Sequence, residues 1–302
     1  MDDRSALPPA ERGEGAGAPD AIPTASDVLG RAAGENFPVA LRVLPAALRG
    51  DLLNLYGFAR LTDQLGDAYG GDRLAALDWL EEDLRRALVG QSAHQLVAPI
   101  AATVGRHHLD PGPLFDLIQA NRQDQTTTSY ATFDDLIVYC RLSANPIGRM
   151  VLGIFDQADA RRVEWSDAIC TGLQLAEHWG DVAEDAAAGR VYLPQDDLAR
   201  FGVDEKELHT NAPARPALRA LMAFETDRAR RYLTQGAPLV SSLRGWARLA
   251  ISGFAGGGFA ALDALAGADF DPLGGTPHRS PLRIATAGAA LWTRRPKRGD
   301  RP

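Results

Sequence analysis

Residues 173–194 read LQLAEHWGDVAEDAAAGRVYLP, and the interpretation of the whole chain depends on this stretch. Glu177, Asp181 and Asp185 stand four residues apart, so a continuous helix would place all three carboxylates on one face. Like charges at this spacing cost an isolated helix roughly 0.2–0.5 kcal/mol per pair unless a cation lies over them. A solvated acidic face is the simpler alternative, because that cost is small. The remaining sequence has to distinguish a cation site from such a face.

The body of the chain has the apolar periodicity of α-helices. Apolar residues recur at steps of three and four in LRGDLLNLYGFARLTDQLGDA (48–68) and in DRLAALDWLEEDLRRALVG (72–90). Further helices are predicted over 114–122, 133–155, 166–188, 216–234 and 239–265. No alternating run of Val, Ile or Thr indicates a sheet, so the sequence predicts an all-α fold.

Two segments inside these helices have unusual composition. RLSANPIGRM (141–150) contains Pro146, which cannot donate the helical hydrogen bond and is predicted to kink its helix. Small residues flank this break, as they often do beside a cavity, although plain helix packing is the commoner reason. GFAGGGFAALDAL (253–265) is rich in glycine, but no strand precedes it, so close helix packing is a better explanation than phosphate binding.

Size and charge limit the classes of function. A chain of 302 residues with 45% hydrophobic composition can bury a large core. The net charge of −7 argues against nucleic-acid binding, which needs a clustered basic surface. Cys140 and Cys170 lie in apolar helical patterns rather than in a paired motif, which favours a reducing, cytoplasmic location. Neither a signal peptide nor a membrane span is predicted.

Three regions are predicted along the chain. Residues 1–26 are rich in Pro, Gly, Ala and acidic residues, which is typical of a disordered tail. Residues 27–270 form one all-α domain. Residues 271–302 form a partly apolar tail that ends in five basic residues between 294 and 301. Such a tail can lie on an anionic membrane, at the inner face in this case, and a frayed soluble end is the alternative.

A second acidic pair accompanies the first. Asp63 and Asp67 are also four residues apart, and Arg60 precedes them by three. Carboxylates that project from opposed helices are suited to Mg²⁺, which takes a few protein oxygens and completes its shell with water and substrate phosphates. Arg60 as an ordinary intrahelical ion-pair partner is the alternative. Together with Arg190, Tyr192 and apolar helices, the two pairs predict a metal-bound diphosphate above an apolar pocket.

The same residues resemble the squalene/phytoene synthase family. The first motif of that family is matched by Asp63 and Asp67, preceded by Tyr56 and Arg60. The second has the form QLxxxxxDVxEDxxxGRxYLP and is matched at Gln174, Asp181, Val182, Glu184, Asp185, Gly189, Arg190, Tyr192, Leu193 and Pro194. The segments ENFPVA (35–40), RQDQTTTSYATFDDLIVYC (122–140) and YCRLSANPIG (139–148) are similar to the hydroxysqualene-forming branch of the hopanoid pathway.

The resemblance implies the isoprenoid synthase fold, a single helical bundle around a central apolar cavity. It also implies roles for individual residues. Mg²⁺ ligands and catalytic carboxylates are expected at Asp63, Asp67, Asp181 and Asp185, with Glu177 as a further ligand. Substrate-binding residues are expected at Tyr56, Arg60, Gln174, Arg190 and Tyr192.

The chain departs from the family pattern at both acidic motifs, and His178-Trp179-Gly180 stands where Phe-Trp-Gln is typical of the branch. Glu177 stands where the family usually has Asn, and Gln64 stands where a second Asp is frequent. Glu177 can add an anionic metal ligand, or it can weaken diphosphate binding through like charge. Both interpretations remain open on the sequence.

The implied reaction converts presqualene diphosphate and water to hydroxysqualene and diphosphate. No nicotinamide cofactor is expected, because the chain has no dinucleotide fingerprint. A head-to-head condensation of farnesyl diphosphate, giving presqualene diphosphate, squalene or phytoene, is the nearest alternative. A catalytically silent binding subunit is an alternative of another class. Other enzymes of the pathway are expected as partners.

Overall fold

The computed structural model describes residues 22–29, 44–92, 94–210, 212–275 and 281–293. Helices account for 75% of these residues and no strand occurs among them, which confirms the predicted all-α class. The α-helices, numbered in chain order, are α1 (Ala25–Leu29), α2 (Ala46–Asp63), α3 (Arg73–Leu88), α4 (Val97–His107), α5 (Gly112–Gln123), α6 (Phe133–Ser143), α7 (Asn145–Ile154), α8 (Ala160–Gly180), α9 (Val182–Ala187), α10 (Gln195–Phe201), α11 (Pro216–Gly236), α12 (Pro238–Ser242), α13 (Gly245–Gly267) and α14 (Pro281–Thr293). A π-helical turn, Gln64–Ala68, follows α2, and a 3-10 helix, Glu205–His209, follows α10.

Several predicted features lie outside the described residues. They are most of the N-terminal tail, the ENFPVA segment and the basic residues after 293.

Side-chain caps fix where several helices begin. The carboxylate of Asp72 accepts a hydrogen bond from the third residue of α3, and Asp159 does the same for α8. Thr132 and Asp135 cap each other's backbone N–H groups at the start of α6. Such caps satisfy the N–H groups that have no partner within the helix.

Helix α8 lies at the centre of the fold, where it packs against α7, α11 and α13. Trp179 near its end is fully buried, and its indole N–H donates to the backbone oxygen of Glu225 on α11, 3.1 Å away. Leucines of α2 and α3 complete the opposite side of the core. Leu77, Leu80 and Leu84 are fully buried, whereas Leu74 at the start of the same apolar pattern is 45% exposed.

The structure divides three segments that were predicted as single helices. The prediction of one helix over 166–188 is wrong, because Asp181 (φ −110°, ψ 15°) separates α8 from α9. The segment 133–155 divides at Ala144, two residues before Pro146, as the proline predicts. The segment 239–265 divides after Ser242, where Arg162 donates to the backbone oxygen of that serine at 2.7 Å.

The predicted C-terminal tail contains a helix. α14 packs along α13, although it lies within residues 271–302. Among the described helices, α13 is the one long and apolar enough to cross a membrane, yet 56% of its most apolar window is buried in the protein. Its contacts with α8, α11 and α14 are those of a core helix.

Candidate active site

A polar pocket of about 320 Å³ opens between α2, α5, α6, α8 and α9. Eight of the ten predicted site residues line it, namely Asp63, Asp67, Gln174, Glu177, Asp181, Asp185, Arg190 and Tyr192. The two acidic motifs therefore face one space, although they are far apart in the chain. Tyr56 and Arg60 are not among its lining residues.

Arg60 and Tyr56 lie beside the pocket rather than in its wall. A guanidinium nitrogen of Arg60 is 3.8 Å from a carboxylate oxygen of Asp63, which is the intrahelical pairing that the sequence left open. Tyr56 is buried on α2, about one turn before Arg60. The structure thus places Arg60 next to a pocket carboxylate and Tyr56 in the supporting core.

The first acidic motif lies where the helix changes its geometry. Asp63 ends α2, and Asp67 lies in the π-helical turn, so the predicted continuous helix over 48–68 is wrong at its end. Gly66 in this turn lies against α5, and an added Cβ there would overlap the side-chain amide of Asn121. Gln125 donates to the backbone oxygen of Gly66 at 2.9 Å. Helix α5 and the residues just after it thereby hold the turn in place. π-Helical turns are common at functional sites.

A glycine turn brings the second motif back towards the first. Gly189 has φ +81° after the end of α9, a conformation that glycine adopts without a steric penalty. The N–H of Arg190 then donates to the backbone oxygen of Asp185 at 2.9 Å, as in a Schellman cap. From there the Arg190 guanidinium reaches the carboxylate of Asp67 at 2.7 Å. Burial opposes the charge of Arg190, but the hydrogen bond and charge of Asp67 raise its pKa.

Five polar residues of the pocket were not predicted: Asn121, Asp124, Tyr139, Ser143 and His178. They come from α5, α6 and α8, and no paired-acid spacing marks them. The signal that could have found some of them is NRQDQ (121–125), a polar cluster at the end of an apolar helix. The break at Pro146 was a further signal, because Ser143 precedes it and lines the pocket.

Asp124 and Tyr139 form a hydrogen-bonded pair in the pocket wall. The Tyr139 hydroxyl donates to one Asp124 oxygen at 2.8 Å, and the other oxygen has no hydrogen-bond partner among the described residues. Burial raises the pKa of Asp124 to about 6, against the lowering effect of Tyr139 and Arg190. Burial also raises the pKa of Tyr139, so the phenol keeps its proton as the donor.

Aromatic rings support the second motif. The imidazole of His178 stacks on the ring of Tyr192, with centroids 3.7 Å apart and planes at 16°. His178 Nδ1 lies 3.9 Å from Asp185, and its Nε2 lies 3.1 Å from the Gln174 amide. His178 is therefore held between three predicted site residues.

The pocket's donors suit a hard cation. Partial burial in the pocket raises the pKa of Asp63 to about 6, although 49% of its side chain is accessible to solvent. Arg60 and Asn121 oppose this shift, and the charges of Asp67 and Glu177 add to it. Within the described ranges, no three His, Cys, Asp or Glu side chains already stand close enough to hold a metal. Mg²⁺ keeps several waters and substrate oxygens in its shell, so carboxylates facing one space still fit it.

An apolar cavity of about 600 Å³ adjoins the polar pocket. Its walls come from α7, α8, α13 and α14 and include Ile147, Val151 and Phe254. Gly148, just after the Pro146 break, also lines it. Glu177 lines both spaces, so the acidic pocket and the apolar cavity meet at this residue.

Comparison with known proteins agrees with this arrangement. Residues 31–285 match the sequence model of the Squalene/phytoene synthase family. The chain belongs to the squalene/phytoene synthase family. Members of this family process prenyl diphosphates such as farnesyl diphosphate.

Individual members of the squalene/phytoene synthase family have different reaction names. The crystal structure of squalene synthase HpnC from Alicyclobacillus acidocaldarius is 40% identical, with a TM-score of 0.75, over 81% of this chain and 92% of that one. A hydroxysqualene synthase from Sinorhizobium fredii is 32% identical over 70% of this chain and 72% of its own length. A 15-cis-phytoene synthase from Synechococcus elongatus is 33% identical over 67% of this chain and 70% of its own. The isoprenoid synthase fold is thereby shown, and both curated reaction names occur at nearly equal identity.

Proposed function

We propose that this chain converts presqualene diphosphate and water to hydroxysqualene and diphosphate. The observation that supports this best is the position of Glu177, where the pocket of carboxylates and Arg190 meets the apolar cavity. A substrate with a diphosphate head and hydrocarbon tails matches these two adjoining spaces. The 40% identity to the HpnC squalene synthase supports the branch.

The chain's own residues bind the head group and stabilise its departure. Arg190, released from Asp67, donates to diphosphate oxygens as negative charge develops on them, and this selective stabilisation lowers the barrier to ionisation. Asp63, Asp67, Glu177, Asp181 and Asp185 would hold Mg²⁺. When bound, the metal neutralises the charge that the diphosphate takes with the electron pair of the broken C–O bond.

The apolar cavity governs what happens to the remaining carbocation. Side chains such as Val151, Ile169 and Phe254 exclude bulk water while the cyclopropylcarbinyl cation rearranges. One water then forms the new C–O bond and releases a proton. This sequence needs no hydride donor, so we propose that no nicotinamide cofactor takes part.

Product analysis tests this function. The purified chain is incubated with presqualene diphosphate and Mg²⁺, with and without NADPH, and the extract is separated by gas chromatography. Hydroxysqualene in both reactions supports the proposal. Squalene that requires NADPH, or no turnover of presqualene diphosphate, contradicts it.

A head-to-head condensation is the second candidate, because a phytoene synthase is 33% identical to this chain. The substrate separates the two functions. Formation of presqualene diphosphate, squalene or phytoene from a prenyl diphosphate such as farnesyl diphosphate would favour condensation. A silent binding subunit would release no diphosphate from either substrate.

We also propose that this enzyme is cytoplasmic. We propose that it contacts an anionic membrane and other enzymes of its pathway. Trp246 and Leu249 of α13 and Trp292 of α14 are large exposed apolar residues. The guanidinium of Arg248 lies 4.7 Å from the Trp292 ring centroid, so basic and apolar groups share this surface. Five basic residues and one acidic residue follow Thr293.

Vesicle sedimentation tests the membrane contact. The full chain is compared with a chain that ends after Thr293, which retains α14. Loss of binding to anionic vesicles on truncation supports a role for the basic end. Equal binding of both chains contradicts it.

A further inference from the structure

The glycines of GFAGGGFAALDAL on α13 have two kinds of surroundings. A Cβ added at Gly256 would overlap the backbone of Gly288 on α14, and one at Gly258 would overlap Leu173. These two glycines permit close packing, as the sequence suggested. At Gly253 and Gly257, by contrast, an added Cβ would meet no atom within 4 Å. Packing therefore gives no reason for glycine at these two positions.

Gly253 and Gly257 both line the apolar cavity. They are four residues apart and so lie on one face of α13. The open space beside each is consequently cavity, which any larger side chain would occupy. Pro281, Ile284 and Ala285 of α14 line the same cavity.

Helix α14 is held firmly enough to act as a wall. The contact between Gly256 and Gly288 lets the backbones of α13 and α14 approach closely. One turn further along α14, Arg248 donates to the backbone oxygen of Trp292 and lies over its ring. In the part of the cavity between these helices, α14 therefore forms one wall. The facing wall is α13, which has no side chain at its two cavity-lining glycines.

We propose that Gly253 and Gly257 of α13, together with Ala285 of α14, set the length of the hydrocarbon chain that the cavity accepts. The inference rests on the proposed function, because it takes the tail of a prenyl diphosphate to occupy this cavity. Each buried CH₂ strengthens binding roughly fourfold. Loss of space for one five-carbon unit should therefore weaken binding at least tenfold.

Two ligands with one head group and different tails measure this effect. Farnesyl thiodiphosphate and geranyl thiodiphosphate share the charged group and differ by one isoprene unit. Their dissociation constants are measured by calorimetry with Mg²⁺ for the wild type, Gly253→Leu, Gly257→Leu and Ala285→Phe. We expect the affinity for the farnesyl compound to fall at least tenfold and that for the geranyl compound to change less than about threefold.

Gly105→Leu is the matched control. Gly105 is an exposed glycine within α4, its added Cβ also meets no atom within 4 Å, and it lines neither space. This variant reports the effect of replacing a helical glycine, and its affinities should equal those of the wild type. If a leucine variant fails to fold, Gly253→Ala and Gly257→Ala replace it, with an expected farnesyl-selective loss of roughly fourfold.

The possible results separate the inference from the function. Unchanged affinities in the variants, or equal losses for both tails, would overturn the inference while leaving the function intact. A wild type that binds both tails equally would overturn it as well. A wild type that binds neither compound would also overturn the inference, and the turnover of presqualene diphosphate then decides whether the proposed function holds.

Discussion

The guanidinium of Arg190 donates a hydrogen bond to the carboxylate of Asp67 at 2.7 Å, across 123 residues of sequence. This contact joins the two acidic motifs directly. It also holds a cation in the wall of the pocket. The pair is part exposed, with 48% of the Asp67 side chain and 22% of the Arg190 side chain accessible. Because a part-exposed pair contributes little to stability, we propose that Arg190 serves substrate binding.

Replacement of Arg190 should affect catalysis far more than folding. Arg190→Gln is expected to lower kcat on presqualene diphosphate by about 10²–10³-fold, the usual effect of losing one donor to a developing anion. The free energy of unfolding should change by no more than about 1 kcal/mol, because the ion pair is part exposed. Steady-state kinetics and thermal melts measure the two effects. Arg149→Gln is the control, since Arg149 pairs with Asp167 outside both spaces; a similar kinetic loss in it would remove the special role of Arg190.

The acidic motifs should be needed for turnover but not for the fold. Asp63→Asn and Asp181→Asn each remove one negative charge from a pocket of like charges, so the melting temperature should stay equal or rise. Turnover should be abolished, because each change removes an anionic oxygen that Mg²⁺ would use. Asp227→Asn, at an exposed position on α11, is the control. Near-wild-type turnover of either pocket variant at saturating Mg²⁺ would refute the metal assignment.

Glu177 should affect the apparent affinity for Mg²⁺. If Glu177 is a ligand, Glu177→Gln removes an anionic oxygen from the metal site. The midpoint of a Mg²⁺ titration of turnover should then rise to a higher Mg²⁺ concentration. Glu177→Asn supplies an amide oxygen without a charge and restores the residue usual in the family, so it should keep or raise activity. The midpoint is measured for both variants and the wild type. If neither variant shifts it, Glu177 is only a solvated neighbour of the site.

Glu225 should make the stability of the fold depend on pH. Its side chain is fully buried on α11, and burial raises its pKa to about 8, while Arg228, 3.0 Å away, opposes the shift. The folded chain thus keeps this proton between about pH 4.5 and pH 8, whereas the unfolded chain releases it. The free energy of unfolding should therefore fall as pH rises through this window, by at most about 1.4 kcal/mol per pH unit.

Urea unfolding across this pH range checks the effect of Glu225. Glu225→Gln keeps the shape of the side chain but has no proton to release, so its stability should fall less steeply with pH. Glu164→Gln, at an exposed position on α8, should follow the wild type. Parallel curves for the wild type and Glu225→Gln would show that another group causes the dependence.

The sequence predicted the helical class from apolar spacing, and it predicted most of the pocket from the two acidic pairs together with the resemblance to a family motif. Residues four apart, such as Asp181 and Asp185, lie near each other in any local helix. The long family motif then indicates that they face the same site as Asp67. The break at Pro146 was predictable for a similar reason, since proline lacks the N–H group that a helix needs.

Other features depend on contacts that spacing does not show. The π-helical turn at Asp67 is held by Asn121 of α5 and by Gln125 just after that helix. The separation of α8 from α9 at Asp181 is marked in the sequence by Gly180 alone, and a single glycine does not by itself end a helix. Asp124 carries no partner acid in the sequence, so only the fold brings it to the pocket. Helix α14 was missed because its residues show no clear apolar pattern in the sequence. Its apolar side packs against α13.

The source of the oxygen in the product is the sharpest test of the proposed reaction. The wild type is given presqualene diphosphate and Mg²⁺ in H₂¹⁸O, and the product is examined by mass spectrometry. We expect an alcohol that carries one ¹⁸O atom, released together with unlabelled diphosphate. A hydrocarbon product, or an alcohol without the label, would contradict it.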